Sequence, residues 1–248
     1  MDLRSGWSRT SADRDSPGLQ RIIYAWTDTA GETIFGVMKT YDFCSTSCFD
    51  EIDASLVARL RFLMEADRLK LEERRNRIAD GSRRENVGEH SWHVALFALV
   101  LARHSAETVD PLRLLSMLLI HDLVEIDCGD TPLHDPLGAA SQAEREQRTA
   151  ERIFGLLPSD QAIEFRKLWD EFEAGETADA RFAKAIDRLQ PILLNHAVRG
   201  GTWTDFDVDE AQERKLTSRI ADGSPELWQV AEAIFTDAVN HGWLKPSP

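Results

Sequence analysis

The chain has 248 residues, of which 42% are hydrophobic and 29% charged, and its formal net charge is −14. This length can bury a full core, and the negative charge argues against binding long nucleic acids, which requires neutralisation of many phosphates. The longest apolar runs, residues 94–102 and 117–120, are too short to cross a membrane, and the N-terminus lacks the apolar centre of a signal peptide. We therefore expect a cytoplasmic protein without a membrane partner, whose cysteines Cys44, Cys48 and Cys128 are free thiols.

Residues 1–46 contain no motif that can be assigned, and only residues 22–26 have the composition of a short strand. We treat residues 1–46 as an N-terminal extension of uncertain structure. From residue 47 onwards the apolar periodicity is that of successive helices, and no strand pattern follows residue 45. The predicted fold class is all-α, with one helical domain over residues 47–248.

Several stretches define the core of this helical domain. Residues 89–104 are apolar on nearly all sides, which predicts a central helix buried all round. Asp110 and Pro111 form an N-cap and N1 pair, which opens a helix that ends near Asp127. Further helices are predicted over 139–157, over 160–174, from Thr177 to Gly200 with a kink at Pro191, and from Pro225 to Gly242.

Histidine and aspartate residues occur within these apolar helices. His90 begins the first of them, His121 and Asp122 follow the apolar run 114–120, and Asp187 interrupts the apolar face of a later helix. Burying such groups is costly unless they are paired or bind a metal. Two imidazoles and two carboxylates would suit a divalent cation such as Mn, Fe, Co, Ni or Zn.

Ordinary explanations of the same residues stay open at this point. His90 could cap a helix, and Asp187 could pair with Arg188 or Lys184. If one α-helix runs through the second stretch, Glu125 shares a face with His121, but it could also be a surface acid at a helix end. His93, one turn after His90, is more simply explained as a polar residue packed near the site.

The order His90, His121-Asp122, Asp187 resembles the H…HD…D pattern of the HD-domain metal-dependent phosphohydrolases. Residues 85–91, 121–125 and 129–132 resemble the 5′-deoxynucleotidase branch of that superfamily, and the resemblance covers roughly residues 55–240. It implies an HD-domain helical bundle with a metal site between core helices. The implied metal ligands are His90, His121, Asp122 and Asp187, holding a divalent cation such as Mn, Co, Fe, Ni, Zn or Mg.

The resemblance also implies roles for residues around the metal. Glu125 would be the catalytic acid, and Asp130 would contact the nucleotide sugar, with Thr131 and Pro132 close by. Asp122 and Asp187 would touch the substrate as well as the metal. The alternative for Asp130 is a simple turn residue after a glycine.

A phosphate group also requires a cation, and residues 68–84 carry a net charge of +4 in a chain of net −14. Arginine binds phosphate bidentately. Counting back from His90 without gaps, Arg75 takes the place of the family's phosphate-orienting arginine, which would make it both catalytic and substrate-binding. A small shift would select Arg74 or Arg77, and a solvated basic loop is the ordinary alternative.

These features together predict a metal-dependent phosphomonoesterase that converts (deoxy)nucleoside 5′-monophosphates to nucleoside and phosphate. One alternative is another HD reaction, such as hydrolysis of a nucleoside triphosphate or an alarmone. Another is a catalytically silent nucleotide-sensing module. The resemblance further implies a homodimer with a small-molecule nucleotide as its substrate.

Overall fold

The computed structural model describes residues 8–13, 19–27, 33–41, 49–130 and 139–248, with side chains over 49–130 and 142–248. It divides into two compact units, Met1–Met64 and Glu65–Pro248. The domain boundary predicted after residue 46 falls outside the described residues and stays a prediction. No helix among the described residues is long and apolar enough to cross a membrane, and the cytoplasmic location also stays a prediction.

The first unit contains a three-stranded antiparallel sheet in the order β1-β2-β3, followed by helix α1. In the register of β2 with β3, Leu19 lies opposite Tyr41 and Thr27 opposite Thr33. The strand predicted over residues 22–26 lies within β2 and is confirmed. The elements are β1 (Ser8–Asp13), β2 (Leu19–Thr27), β3 (Thr33–Tyr41) and α1 (Ala54–Ala66).

The second unit is mostly helical, which confirms the predicted fold class. Short 3₁₀ turns cover Asp67–Leu71, Ala102–His104 and His121–Val124. The other elements are β4 (Glu73–Arg77), β5 (Arg84–Asn86), α2 (Val87–Leu101), α3 (Pro111–Ile120), α4 (Glu125–Cys128), α5 (Ala139–Phe154), α6 (Ser159–Ala174), α7 (Ala178–Ala197), α8 (Thr202–Asp205), α9 (Glu210–Thr217), α10 (Ile220–Gly223) and α11 (Pro225–Asn240).

The hairpin of β4 and β5 corrects the prediction that no strand follows residue 45. Its register pairs Glu73 with Asn86 and Arg77 with Arg84. The inward-facing residues of β4 are Arg74 and Asn76, whereas its neighbours are exposed. A strand is normally recognised by alternating apolar residues, so a strand whose inner face is polar gives no such signal.

The helix predicted from Asp110 to Asp127 is wrong in its middle. It opens as expected, because the Asp110 carboxylate accepts from the Leu112 backbone N–H at 2.9 Å. At His121 the chain tightens into a 3₁₀ turn, and the Glu125 N–H bonds the carbonyls of Asp122 and Leu123. The His121 carbonyl instead accepts from the Trp169 indole N–H at 3.0 Å. His121 and Glu125 are therefore not stacked on one continuous α-helix.

Helix α2 is buried on one side only, which corrects the prediction of burial all round. His90, Val94 and Ala98 lie inside. The opposite face exposes large apolar side chains, namely Trp92 (62%), Leu96 (41%), Leu99 (59%) and Val100 (59%). Hydrophobicity alone does not distinguish a helix surrounded by core from one with an open apolar face.

Helix α7 lies at the centre of the second unit, packing against α2, α3, α6, α10, α11 and β4. Thr177 caps it as predicted, accepting from the Ala180 N–H at 3.2 Å. Phe182, Ile186 and Leu189 are buried, and the helix continues through Pro191. It ends at Ala197, before a turn through Gly200 and Gly201.

We expect this turn to be sensitive to a single added methyl group. Gly201 has φ +52°, and a Cβ there would lie 2.5 Å from Asn195 Oδ1. Gly242 has φ +72° with no atom within 4 Å, so it is a matched control for backbone strain alone. Gly201→Ala should lower the free energy of unfolding by about 2–4 kcal/mol, against about 1 kcal/mol for Gly242→Ala. Equal losses in urea unfolding would contradict the close contact.

Candidate active site

The four predicted metal ligands meet in the second unit. His90 lies in the first turn of α2, His121 and Asp122 in the 3₁₀ turn after α3, and Asp187 in α7. Ligand atoms of His90, His121 and Asp122 lie within 4.8 Å of one another. Asp187 Oδ1 lies 2.9 Å from His90 Nε2 and 3.5 Å from His121 Nε2.

A chain of buried hydrogen bonds fixes which nitrogen of His90 faces this cluster. The Gln190 Nε2 donates to the Glu85 carboxylate at 2.7 Å, so its Oε1 is the atom 3.1 Å from His90 Nδ1. His90 Nδ1 must therefore carry the hydrogen, which leaves the Nε2 lone pair for the cluster. His93 joins the same network through Nδ1, 3.2 Å from Gln190 Nε2.

His121 is oriented in the same way by the backbone. Its Nδ1 donates to the Leu118 carbonyl at 2.9 Å. Its Nε2 is buried and has no hydrogen-bond partner among the residues with described side chains. Ligand atoms around one ion, each at about 2 Å from it, lie within about 4 Å of each other. The observed separations and the orphaned nitrogen fit a divalent cation bound by all four residues.

The charges of the cluster are strongly coupled. Burial alone would lower the pKa of His121, but the Asp122 and Asp187 carboxylates outweigh it and hold that pKa well above its usual value. For Asp187, burial would raise the pKa, but the neighbouring imidazoles of His121 and His90 outweigh it and hold that pKa well below the usual range. A divalent cation can replace the protons in such a cluster.

Arg74 is the arginine that reaches the cluster. Its Nη1 lies 3.1 Å from Asp122 Oδ2 and 3.7 Å from Asp130 Oδ1, and its Nε lies 3.6 Å from Glu85 Oε2. Arg75 is exposed at the edge of the same cavity. The Arg77 guanidinium donates to the Gly81 carbonyl at 3.3 Å, within the hairpin turn.

Glu125 and Asp130 lie on the same side of the cluster as Arg74. Burial and the Asp122 charge raise the pKa of Glu125 well above its usual value. Its Oε2 is buried without a hydrogen-bond partner in the described part of the chain. Burial raises the pKa of Asp130, although the Arg74 charge and the Arg75 backbone N–H act against the rise. Thr131 and Pro132 lie outside the described residues.

A cavity of about 430 Å³ opens onto the cluster. Its walls come from β4, the segment 121–130, and helices α5, α6, α7, α8 and α9. Such a volume is typical of sites for small molecules. The cavity therefore joins a buried cluster of candidate metal ligands, a carboxyl with a raised pKa and an arginine in one accessible space.

This chain has relatives among known protein families. Residues 66–228 match a family model described as an HD domain. The chain belongs to the HD domain family of metal-dependent phosphohydrolases. A solved structure of a predicted metal-dependent phosphohydrolase from Magnetospirillum magnetotacticum is 50% identical, with a TM-score of 0.75, and covers 78% of this chain and 97% of that one. The predicted resemblance is confirmed.

Curated relatives of this HD domain carry a more specific name. The 5′-deoxynucleotidase HDDC2 of Homo sapiens is 31% identical over 111 residues, which are 45% of this chain and 53% of the human protein. The 5′-deoxynucleotidase yfbR of Photorhabdus temperata is 30% identical over 146 residues, 55% of this chain and 74% of that protein. The chain spans about half the length of the mammalian relatives from Homo sapiens and Bos taurus.

Sequence reasoning missed several residues that build the site of this HD domain. Gln190 on α7 bonds His90, Asn195 on the same helix lines the cavity, and Glu213 reaches the cavity from α9. Gln190 lies three residues after Asp187 in the chain, and Asn195 lies eight residues after it. Helical periodicity could therefore have placed both side chains on the face of α7 that carries Asp187. Glu213 had no such signal, because only the tertiary structure brings α9 to the cavity.

We expect metal binding to stabilise the folded protein. At a free Mn²⁺ concentration of 100 times Kd, the free energy of unfolding should rise by about 2.7 kcal/mol. The measurement is the melting temperature with Mn²⁺ and after chelation, which should reverse the rise. His90→Ala should abolish it, whereas His196→Ala should not, because His196 pairs with Asp237 elsewhere at 2.8 Å. An undiminished rise in His90→Ala would contradict the assigned site.

Proposed function

We propose that this HD domain phosphohydrolase hydrolyses (deoxy)nucleoside 5′-monophosphates to nucleoside and phosphate. The observation that carries the proposal is Arg74, a cation buried beside the His/Asp cluster and facing a cavity of about 430 Å³. The names of the curated relatives support this substrate class. The substrate is thus a small anion whose phosphate meets the metal ligands and Arg74.

In this proposal His90, His121, Asp122 and Asp187 hold one divalent cation, with Mn, Co, Fe, Ni, Zn and Mg as candidates. When bound, such an ion lowers the pKa of water and withdraws charge from a phosphoryl oxygen. The buried Gln190 and Glu85 hold His90 in the tautomer that this role requires. The Leu118 carbonyl does the same for His121.

Glu125 is proposed to move the proton. Water attacks phosphorus, the bond from phosphorus to the sugar 5′-oxygen breaks, and the proton passes from the water to that leaving oxygen. A carboxyl whose pKa is raised by burial and by Asp122 is suited to proton transfer near neutral pH. Its Oε2, which has no hydrogen-bond partner among the described residues, leaves one oxygen for the water.

Arg74 is proposed to bind the phosphate, in place of the Arg75 assigned from spacing. It already lies against Asp122 and Asp130, so its guanidinium would stay positioned between metal ligands and sugar. Asp130 is proposed to accept from a sugar hydroxyl beside the backbone of Arg75. The substrate contacts expected of Thr131 and Pro132 stay a prediction. As proposed ligands of the cation, Asp122 and Asp187 would lie next to the bound phosphate.

Purified protein with Mn²⁺ or Co²⁺ should release orthophosphate from deoxynucleoside monophosphates. Glu125→Gln should lower kcat at least about 100-fold, since general acid–base groups typically contribute that much or more. Glu144→Gln is the matched control, because its side chain is 79% exposed on α5. If no nucleoside monophosphate releases phosphate, the proposal is refuted. Tripolyphosphate or pyrophosphate as product would instead indicate one of the other HD reactions.

The two arginines can be separated within the same assay. Arg74→Ala should reduce kcat/KM by about 100-fold or more, because a charge-assisted phosphate contact is lost and two carboxylates lose their cation. Arg75→Ala should cost less, because its side chain lies at the exposed cavity rim. A larger loss in Arg75→Ala would restore the assignment made from spacing alone.

We also propose that the protein is a homodimer that uses the open face of α2, defined by Trp92, Leu96, Leu99 and Val100. Obligate homodimer interfaces bury apolar and aromatic side chains that would be exposed on the isolated protomer. Sedimentation velocity should give a dimer for the native chain and a monomer for Leu99→Asp. A monomeric native chain at micromolar concentration would refute this assembly.

A further inference from the structure

The cavity is elongated along helix α7. The cavity-lining residues of this helix run from Lys184 through Asp187 to Asn195. Asp187 and Asn195 are eight residues apart, about 12 Å at 1.5 Å per residue. The metal-ligand cluster therefore occupies only part of the cavity, and a second region lies beyond it towards Asn195.

This second region, here called the distal pocket, is lined by polar side chains from four elements. None of its members belongs to the proposed metal or phosphate site. Its residues are Asn76 on β4, Arg188 and Asn195 on α7, Thr202 on α8, and Glu213 and Thr217 on α9.

The orientation of the two amides in the distal pocket follows from a backbone donor. The Thr202 N–H donates at 3.1 Å, so the atom it meets must be the oxygen of Asn195. Asn76 lies 3.0 Å from the same oxygen and must present its Nδ2 to it. The hydrogen bonds formed among the described residues thus leave the Asn76 carbonyl oxygen and its second N–H for a ligand.

Arg188 and Glu213 add a cation and a carboxyl to these amides. Arg188 forms no ion pair within 4.0 Å among the residues whose side chains are described, and its Nε is buried. Glu213 is 2% exposed. Burial raises the pKa of Glu213 to about 7, although the Trp203 side chain and the Arg188 charge act against the rise. Near neutral pH its carboxyl can therefore donate or accept a hydrogen bond.

The opposite region of the cavity, towards α5 and α6, is already engaged in internal contacts. Gln142 donates to Glu146 at 2.6 Å. The Lys184 ammonium lies 3.5 Å from Glu173 and 4.5 Å from the ring centroid of Phe172. Its polar groups are largely paired with each other, which makes the distal pocket the better place for a polar ligand group.

Strand β4 orders the two regions relative to each other. Arg74 contacts the cluster carboxylates, the Arg75 backbone contacts Asp130, and Asn76 contacts Asn195. Along these three consecutive residues, the phosphate position is followed by the proposed sugar position and then by the distal pocket. A nucleotide has the same order of phosphate, sugar and base.

We propose that the distal pocket binds the hydrogen-bonding edge of the nucleotide base, and that Glu213 and Arg188 decide which base is preferred. Amide, guanidinium and carboxyl groups are the side chains that pair with the carbonyl, amino and ring-nitrogen groups of bases. This inference rests on the proposed nucleotidase function. Sites that hydrogen-bond a ligand edge discriminate strongly, because a mismatched ligand leaves buried polar groups unpaired.

The test compares kcat/KM for the four deoxynucleoside monophosphates with that for deoxyribose 5-phosphate, which lacks a base. Glu213→Gln should change the ratio between the most and least preferred base at least tenfold. Glu210→Gln should keep the native ranking, since Glu210 bonds Arg214 at the start of α9. An unchanged ranking in both Glu213→Gln and Arg188→Gln would overturn the proposal.

A binding measurement keeps this inference separate from the proposed function. Nucleosides without phosphate should raise the melting temperature of the native chain in an order that depends on the base, and Glu213→Gln should alter that order.

If no nucleotide is hydrolysed but this order is seen and altered, the proposed function is wrong and the proposed base pocket is supported. If nucleotides are hydrolysed with equal kcat/KM for every base and no nucleoside shifts the melting temperature, the function stands and the pocket fails. Should Glu213→Gln not fold by circular dichroism, Arg188→Gln decides both measurements.

Discussion

The contact between His90 and Asp187, 2.9 Å from Nε2 to Oδ1, is the constraint on which the second unit depends. It joins α2 to α7 inside the core of the second unit. Separating these two groups inside the core would leave an imidazole and a carboxylate without compensation, which is strongly unfavourable. The two helices must therefore approach with these residues in register, and the remaining ligands are placed relative to them.

A second layer of buried polar groups supports this contact. Glu85 is 2% exposed and Gln190 is fully buried, and their mutual hydrogen bond is 2.7 Å long. Gln190 then fixes the tautomer of His90, while Glu85 also faces Arg74 at 3.6 Å. The network thus links the hairpin of β4 and β5 to the metal-ligand cluster.

The 3₁₀ turn at His121 serves the same geometry. The Trp169 indole N–H donates a hydrogen bond to the His121 carbonyl, which therefore does not continue the α-helix. In the tighter turn, Asp122 Oδ2 lies 3.1 Å from Arg74 Nη1. The backbone angles of His121 and Glu125, at the two ends of this turn, are helical. The short polar stretch after an apolar helix is therefore positioned by one tryptophan from α6, which the local sequence does not reveal.

The sequence by itself determined the helical class, the caps at Asp110 and Thr177, and the choice of His90, His121, Asp122 and Asp187 as candidate metal ligands. These features depend on local chemistry or on a spaced motif of rare residue types on apolar helices. Only the tertiary structure decided that Arg74 rather than Arg75 reaches the cluster, because adjacent residues of a strand face opposite sides and the strand itself lacked an apolar signal. It also brought Glu213 to the cavity, which Glu213 and Arg188 both line although they lie about two dozen residues apart in the chain. Such contacts depend on how helices pack, and periodicity within one helix carries no information about its partner.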